Sequence, residues 1–599
     1  MREETRVLFK VLLFGMILRE AFSFWTGHPW DFEVWVRVGY FTSRGISPYG
    51  LLDPVPGLSF SGEGTMTSIG YPPLWAFITA LLYDIYSLIG GGNRFVYYFL
   101  LKQPSILGDL TAGYLLFQIV KERGTEKALS AVRFWIFCPF TVVLSSIWGI
   151  FDGLSVALIL AALLTLKHVW KSGSLIGIGG YLKVIPLIFA PVLLAFGDRK
   201  RSLIFLGLML GIPIGLSTLP FPILGWEPSD FLLMARSQSS RPGEGMTPWF
   251  IFQFLPTIPP GSLFDLLLLV ASVAWIPILL FTYANLAGRR KAEDSIRWTT
   301  NLFLVVISVF LISRLYVPEQ YAIYPIAFLI LDTYMWHPNR RKLLDATWIV
   351  AMAFLIVNNP LLIRFISPAI PWAWQVDLAI NNLPPTATVR YTVMLVLGCA
   401  FFLTMIQVVK TYYTDEERQV QPLVLKCVRL ASTSVAAKWY AAYLILFICF
   451  SLSVNLIIAE VVTDWTVAVS RPALLNLNFL ALYHLSLGLS ILALNAFISN
   501  IRGRNITSKF RTFLNLFSLN ALGVGFDLPL YSLIRGHVAL SGRMSLGYID
   551  ERVLFMASIL LAFGSLLLAQ NLPTVDIIFR RSFSRRSHSK NGGQSSPDG

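Results

Sequence analysis

A pair of carboxylates, Asp31 and Glu33, stands in the segment Trp30-Asp31-Phe32-Glu33-Val34-Trp35, directly after the first long apolar run of the chain. Held at a bilayer edge, such a pair suits a general base or a metal ligand. If the segment is extended, both side chains point one way; if it is helical, they diverge by roughly 200°. The alternative reading is a solvated helix cap, since acidic groups also favour helix N-termini. The same segment of chain continues through Arg44-Gly45-Ile46-Ser47-Pro48-Tyr49 to Tyr71-Pro72-Pro73-Leu74-Trp75. There the prolines suit a first helical turn, and Tyr71 and Trp75 suit an interfacial aromatic belt.

A second set of charges lies inside or at the ends of apolar runs: Lys102, Asp109, Asp152, Lys183, and Arg314 with Glu319. Each costs a few kcal/mol at a bilayer centre, so each needs a partner or a function. The ammonium of Lys183, in Gly179-Gly180-Tyr181-Leu182-Lys183-Val184-Ile185-Pro186, requires an anion. A ligand phosphate is one candidate, and Asp109 or Asp152 in a structural ion pair is the rival. Arg236 and Arg241, in Met234-Ala235-Arg236-Ser237-Gln238-Ser239-Ser240-Arg241, offer further cations with hydroxyl and amide donors beside them. Their alternative is a solvated loop.

The elements that must position these groups are membrane helices. The chain has 599 residues, of which 55% are hydrophobic and 14% charged, and its mean hydropathy is +0.65. A soluble domain is nearer a quarter charged. The net charge of +15 is gathered into short clusters such as Arg199-Lys200-Arg201, Arg289-Arg290-Lys291 and Arg340-Arg341-Lys342, set between apolar runs. That is the pattern of cytoplasmic loops, and it argues against a nucleic-acid partner. The four cysteines show neither a disulfide framework nor metal-ligand spacing and read as buried thiols. The first apolar run lacks a small-residue cleavage site and reads as a span that stays.

The expected fold is all-α, a polytopic transmembrane helical bundle of about 14–16 helices. Candidate spans lie near 7–24, 72–90, 96–120, 133–148, 150–168, 174–196, 202–220, 262–286, 298–315, 319–335, 345–366, 390–411, 438–460, 473–498, 512–533 and 552–571. With both termini inside, the Trp- and Pro-rich loops 25–71, 221–261 and 367–389 face out, and Lys and Arg favour the inner side by about two to one. The stretch 121–172 breaks this pattern, because Lys121, Arg123, Lys127, Lys167 and Lys171 then fall outside. Either span 133–148 does not fully cross, or these helices are short and partly submerged. The expected organisation is a membrane module over 1–411, a cytoplasmic linker over 412–437, further spans over 438–575 and a basic, disordered tail over 576–599.

Five segments together resemble the GT-C glycosyltransferases. Asp31-Phe32-Glu33, Gly45-Ile46-Ser47-Pro48-Tyr49 and Tyr71-Pro72-Pro73-Leu74 look like the first lumenal loop of that group. Lys102-Gln103-Pro104-Ser105-Ile106-Leu107-Gly108-Asp109 resembles its third-span motif, and Trp148-Gly149-Ile150-Phe151-Asp152-Gly153 its glycine–aromatic–Asp/Asn segment. Lys183-Val184-Ile185-Pro186 resembles its Lys-x-x-Pro segment. Glu319-Gln320-Tyr321 followed by Tyr324-Pro325 is similar to a segment of dolichyl-phosphate-mannose-dependent transferases. The chain departs from N-glycan glucosyltransferases, which carry His-Glu-Lys where it reads Pro318-Glu319-Gln320, and it lacks the Trp-Trp-Asp signature of oligosaccharyltransferases.

The resemblance covers residues 1–335. It implies a hexosyltransferase, mannose first, using a polyprenyl-phosphate-linked sugar and a glycan or protein acceptor, with membrane lipids around it. Catalysis would fall to Asp31 and Glu33, donor phosphate binding to Lys183, Arg236, Arg241 and Lys102, and the substrate pocket to Tyr71, Glu319, Gln320 and Tyr321. Asp109 and Asp152 are intramembrane polar groups, no cofactor is demanded, and a divalent metal is left open. The location would be a prokaryotic cell membrane or the endoplasmic reticulum, with the site facing outside or lumen. The rival classes are a multi-span transporter or lipid flippase, which should show repeated halves, and a non-enzymatic scaffold.

Overall fold

The structure is a computed structural model that describes residues 3–67, 69–194, 199–239, 244–250, 270–287, 295–373, 375–377 and 384–414. The chain divides into two compact units, 1–253 with 258–424 and 254–257 with 425–599. The second lies wholly outside the described residues. So do the spans expected between 438 and 571, and the tail.

The described unit is an all-α membrane bundle. Helix α1 (Glu3–Ser23) and α4 (Arg94–Val120) run antiparallel along each other. Two contacts at opposite ends fix this: Lys121 Nζ meets Glu4 Oε1 at 2.8 Å, and Lys102 Nζ meets the Thr26 carbonyl at 2.5 Å. Between them, α2 (Asp31–Thr42) and α3 (Leu74–Leu88) form a helical hairpin. Both ends of α3 stay at the Thr26 end of the bundle. Its Trp75 lies edge-on to Trp35 of α2 at 5.4 Å, and its Tyr86 packs on Tyr97, near the start of α4, at 5.2 Å.

This corrects the expected crossing at 72–90. Helix α3 packs one face on α2 and α4 and leaves Leu81, Ile85 and Leu88 exposed on the other. The next segments therefore change sides. Helix α4 now ends beside Glu4, and α5 (Thr125–Phe137) starts there, with Thr125 Oγ1 donating to Glu4 Oε2 at 3.1 Å. Helix α7 (Asp152–Leu164) begins at the other end and runs away from it. Lys121, Arg123, Lys127, Lys167 and Lys171 thus join the N-terminal end, and the apparent violation of the charge bias disappears.

A second correction restores the register. The expected single span 174–196 is broken after Leu182, where α8 (Val169–Leu182) ends and a 3-10 turn, Ile185–Phe189, leads into α9 (Ala190–Leu194). Helix α10 (Arg199–Thr218) then runs in the same direction as α8, Gly173 packing on Phe205 and Gly177 on Leu208 and Ile212. The chain between them has travelled back.

The span expected at 133–148 is also broken. After α5 the chain bends by 48° at Cys138, and α6 (Pro139–Val142) leads into a π-helical turn, Val143–Trp148. A break in a membrane helix frees carbonyls that lipid cannot satisfy. Buried side chains meet them here. Thr141 Oγ1 donates to Trp135 O at 2.7 Å, Arg19 Nη1 to Ile136 O at 2.9 Å, and Lys102 Nζ to Ser146 O at 2.6 Å. Gly149, at φ 86°, closes the π turn in the left-handed region that favours glycine.

The rest of the unit continues through α11 (Pro220–Leu224), α12 (Pro228–Ser239), α13 (Trp275–Ala287), α14 (Ser295–Ser313), α15 (Ile323–Met335), α16 (Arg341–Asn358) and α17 (Pro384–Thr414). Among the described residues, Arg199–Leu224, Ile296–Ser313 and Arg390–Tyr412 are long and apolar enough to cross a membrane unaided, and the bent pair around Pro139 passes as one span. The other described helices are shorter, less apolar or more charged. Two short ladders brace the end that holds Asp31. Strand β1 (Leu51–Leu52) pairs antiparallel with β2 (Met66–Thr67), and β3 (Glu244–Gly245) pairs parallel with β4 (Tyr316–Val317). The described cysteines, Cys138 and Cys399, are free and buried.

Candidate active site

Asp31 is the first residue of α2, where the helix dipole favours an anion. The segment is helical, so Asp31 and Glu33 diverge. Two residues, His28 and Trp148, fix Asp31. Its backbone N–H, and that of Trp30, donate to His28 Nδ1 at 3.1 and 3.2 Å. Trp148 Nε1–H donates to Asp31 Oδ2 at 2.9 Å. The His28 ring stacks on Trp148 with centroids 4.9 Å apart and tilts against Phe365 at 5.5 Å.

His28 Nδ1 lies 3.8 Å from Asp31 Oδ2, yet this is not an ion pair. A nitrogen accepting two backbone N–H groups carries no proton of its own. Burial, and then the Arg364 charge, also hold the imidazole well below its usual pKa range. His28 is therefore neutral, with its proton on Nε2.

Glu33 faces elsewhere. It is fully buried, its Oε1 taking Arg37 Nε at 2.8 Å and its Oε2 the Phe60 N–H at 2.9 Å. Arg37 in turn donates to the carbonyls of Leu52, Glu63 and Gly64. The pair pins the loop after α2. Asp31, in contrast, keeps its side chain 35% exposed and lines a cavity of about 410 Å³.

That cavity gathers residues from far apart in sequence: His28, Asp31 and Trp35 from the first loop and α2, Tyr71, Trp148, Glu319 and Gln320, and then Asn358, Arg364 and Arg390. Glu319 and Gln320 open a 3-10 turn, Glu319–Ala322, which follows β4. Glu319 Oε1 accepts from Asn358 Nδ2. Arg390, at the mouth of α17, donates to Asn358 O and Oδ1 at 2.7 and 2.8 Å and to Val357 O at 3.2 Å, so neutral oxygens hold it. Arg364 donates to Asp377 Oδ2 through Nε at 2.9 Å and Nη2 at 2.6 Å. It sits in a 3-10 turn, Pro360–Ile366, whose Leu362 has φ 60°, a strained value for a leucine. Burial, then Asp31, raise the Tyr71 phenol well above its usual range, so it stays a hydrogen-bond donor.

Of the other expected site residues, Lys183, Lys102, Tyr321, Asp109 and Asp152 do not line this cavity. Lys183 Nζ takes both oxygens of Asp152 at 2.8 Å, Asp152 also accepts from Tyr324, and the rings of Tyr71, Tyr321 and Phe151 surround the ammonium at 5.2–5.4 Å. Two of the sequence motifs thus meet in one buried ion pair. The Lys102 ammonium is enclosed by Thr26 O, Thr26 Oγ1 and Ser146 O. Asp109 pairs with Arg19 at 3.1 Å. Arg236 falls on α12, whose side chains from 234 onward lie outside the described residues, as does Arg241.

Sequence reading missed Arg364, Arg390, His28 and Arg19. The two cavity arginines carried a usable signal: each flanks loop 367–389, on the side that the charge bias reserves for few basic residues. Among the described residues, no group of three or more His, Cys, Asp or Glu side chains is placed to hold a metal.

No family model matches the chain, and no curated protein does. Among solved structures, the chain is similar to ArnT from Cupriavidus metallidurans bound to undecaprenyl phosphate, at 14% identity and a TM-score of 0.37, over 72% of this chain and 81% of that one.

Proposed function

We propose that this integral membrane protein is a glycosyltransferase that moves a hexose, mannose first, from a polyprenyl-phosphate donor to a glycan or protein acceptor. The observation that carries the reading is the shared cavity: a carboxylate with solvent access, Asp31, faces the same space as the guanidinium groups of Arg364 and Arg390. An inverting displacement needs both. Asp31 takes the proton of the acceptor hydroxyl as its oxygen bonds to the anomeric carbon. The anomeric carbon–phosphate oxygen bond breaks, and the phosphate leaves as an anion beside the arginines. Arginine suits this through its planar fork of donors. The phosphate role first expected of Lys183 and Lys102 passes to Arg364 and Arg390, because the arginines line the cavity with Asp31 and the lysines do not. Tyr71, Glu319 and Gln320 would shape the pocket.

The membrane orientation belongs to the same proposal. With the N terminus inside, the cavity opens outside or to the lumen, in a prokaryotic cell membrane or the endoplasmic reticulum. Residues 1–411 would form the transferase, 412–437 a cytoplasmic linker, and 438–575 further spans with no role assigned. Against a transporter stands the engagement of Lys183 with Asp152 and of Arg19 with Asp109, which leaves these charges holding the fold. The test is transfer of labelled mannose from synthetic polyprenyl-phosphate mannose into lipid-linked glycan by purified protein. Wild type should transfer, and Arg390→Gln should lose at least about tenfold in kcat/KM, the loss of a charge-assisted hydrogen bond. Wild-type protein that neither binds nor consumes the donor would overturn the reading.

A further inference from the structure

Gln320 is only 6% exposed, and its Oε1 has no hydrogen-bond partner. Among the described residues it is the one buried side-chain atom without a partner that also lines the cavity. Folded proteins rarely leave such a group unmet unless a ligand or water completes it. Its surroundings are already engaged: Glu319 with Asn358, and Tyr324 with Asp152. With the carboxamide turned over, its oxygen faces the cavity that Gln320 lines, where a ligand can supply the missing partner.

Chemistry narrows that partner. A phosphate oxygen cannot donate to an amide oxygen. A hydroxyl can, and it can also accept from the amide nitrogen in the other orientation. Position narrows it further. Arg390 is joined to Glu319, the neighbour of Gln320, through the single side chain of Asn358. Gln320 therefore shares one cavity with the arginines that would hold a phosphate, and the group bonded directly to that phosphate is the sugar.

We propose that Gln320 forms a hydroxyl-reading subsite for the sugar ring of the lipid-linked donor. It rests on the transferase reading for the identity of the ligand, and adds that the ring, and not the carrier alone, is recognised. A water bridging Gln320 is the competing occupant.

The experiment measures binding of two probes of equal chain length, polyprenyl phosphate and polyprenyl-phosphate mannose, to purified protein in nanodiscs. Wild type should prefer the mannosylated probe by about fivefold, the yield of one neutral hydrogen bond. Gln320→Met should abolish that preference and keep wild-type affinity for the bare carrier, which also shows that it folds. Should Gln320→Met fail to fold, Gln320→Asn, which withdraws the amide by one methylene, must show the same loss. A variant that keeps the preference, or that weakens both probes equally, overturns the subsite while leaving the transferase reading in place. Wild-type protein that binds neither probe overturns both.

Discussion

The indole N–H of Trp148 reaches Oδ2 of Asp31 at 2.9 Å, across 117 positions of sequence. Trp148 ends the π turn, Gly149 closes it, and the His28 ring covers the indole face. The carboxylate is thus aimed by an element whose own shape depends on a broken helix. Trp148→Phe keeps a ring against His28 and removes the N–H alone. Turnover should fall about tenfold, as for a lost hydrogen bond to a charged group, with donor binding unchanged. Steady-state kinetics with a synthetic donor separate the two, and a change confined to KM would remove Trp148 from the positioning role.

Asp31→Asn and Glu33→Gln should part company. Losing a positioned base costs about 10²–10⁴-fold in rate, so Asp31→Asn should insert, fold and bind donor while losing nearly all transfer. Glu33→Gln instead leaves Arg37 as an uncompensated buried charge, at about 3–5 kcal/mol. Its mark should be a lowered unfolding temperature in detergent, with the surviving folded fraction still active.

Lys183 and Asp152 should behave as a structural couple. Lys183→Met alone strands the Asp152 carboxylate and should destabilise by about 3–5 kcal/mol. Adding Asp152→Asn should restore a large part of that loss, because no buried charge then remains unpaired. A donor phosphate held by Lys183 would give the opposite pattern: the single variant stable and raised in donor KM.

His28 supplies a pH dependence. Its folded pKa lies below the unfolded value near 6.5, so the unfolded chain binds more protons in the window between the two. Stability from a neutral His28 is complete above about pH 6.5 and is lost as pH falls through the folded pKa. Unfolding temperature measured between pH 5 and pH 7.5 should decline on the acid side, and His28→Gln should flatten the curve above about pH 5, where carboxylates have not begun to titrate. An unchanged slope in the variant would assign the dependence to another group.

Topology gives the last test. In intact cells an impermeant maleimide should label Thr65→Cys, in the loop between α2 and α3, and spare Lys342→Cys, at the start of α16, until lysis. Both positions are exposed. The corrected path adds a discriminating site: Lys127→Cys should now be protected, where a crossing at 72–90 would expose it.

What the sequence made legible follows from physics local to the chain. The height of Asp31 was readable because it follows α1 almost directly. The direction of Glu33 was not, since it turned on whether six residues coil or extend. The α3 run read as a span because composition cannot distinguish a helix that crosses lipid from one that lies against α2 and α4 with its other apolar face exposed. Lys183 left its anion open between a ligand and two aspartates, and the choice of Asp152 depends on α7 and α8 meeting. Arg364 and Arg390 join one cavity only through the packing of α16 and α17, a contact that no local pattern encodes.

The two cations at the broken helix also bear on how the protein is made. Helix α4 carries Lys102 and Asp109 into hydrocarbon, and α1 carries Arg19, each at about 2.5–3.5 kcal/mol if it enters lipid alone. Asp109 is neutralised by Arg19, and Lys102 is satisfied only once Thr26 and Ser146 are both in place. Neither helix is a good solitary passenger for the insertion machinery. These energetics favour entry of α1, α4 and the bent helix into lipid as one preassembled group of three, with the α2–α3 hairpin left at the face beyond the hydrocarbon.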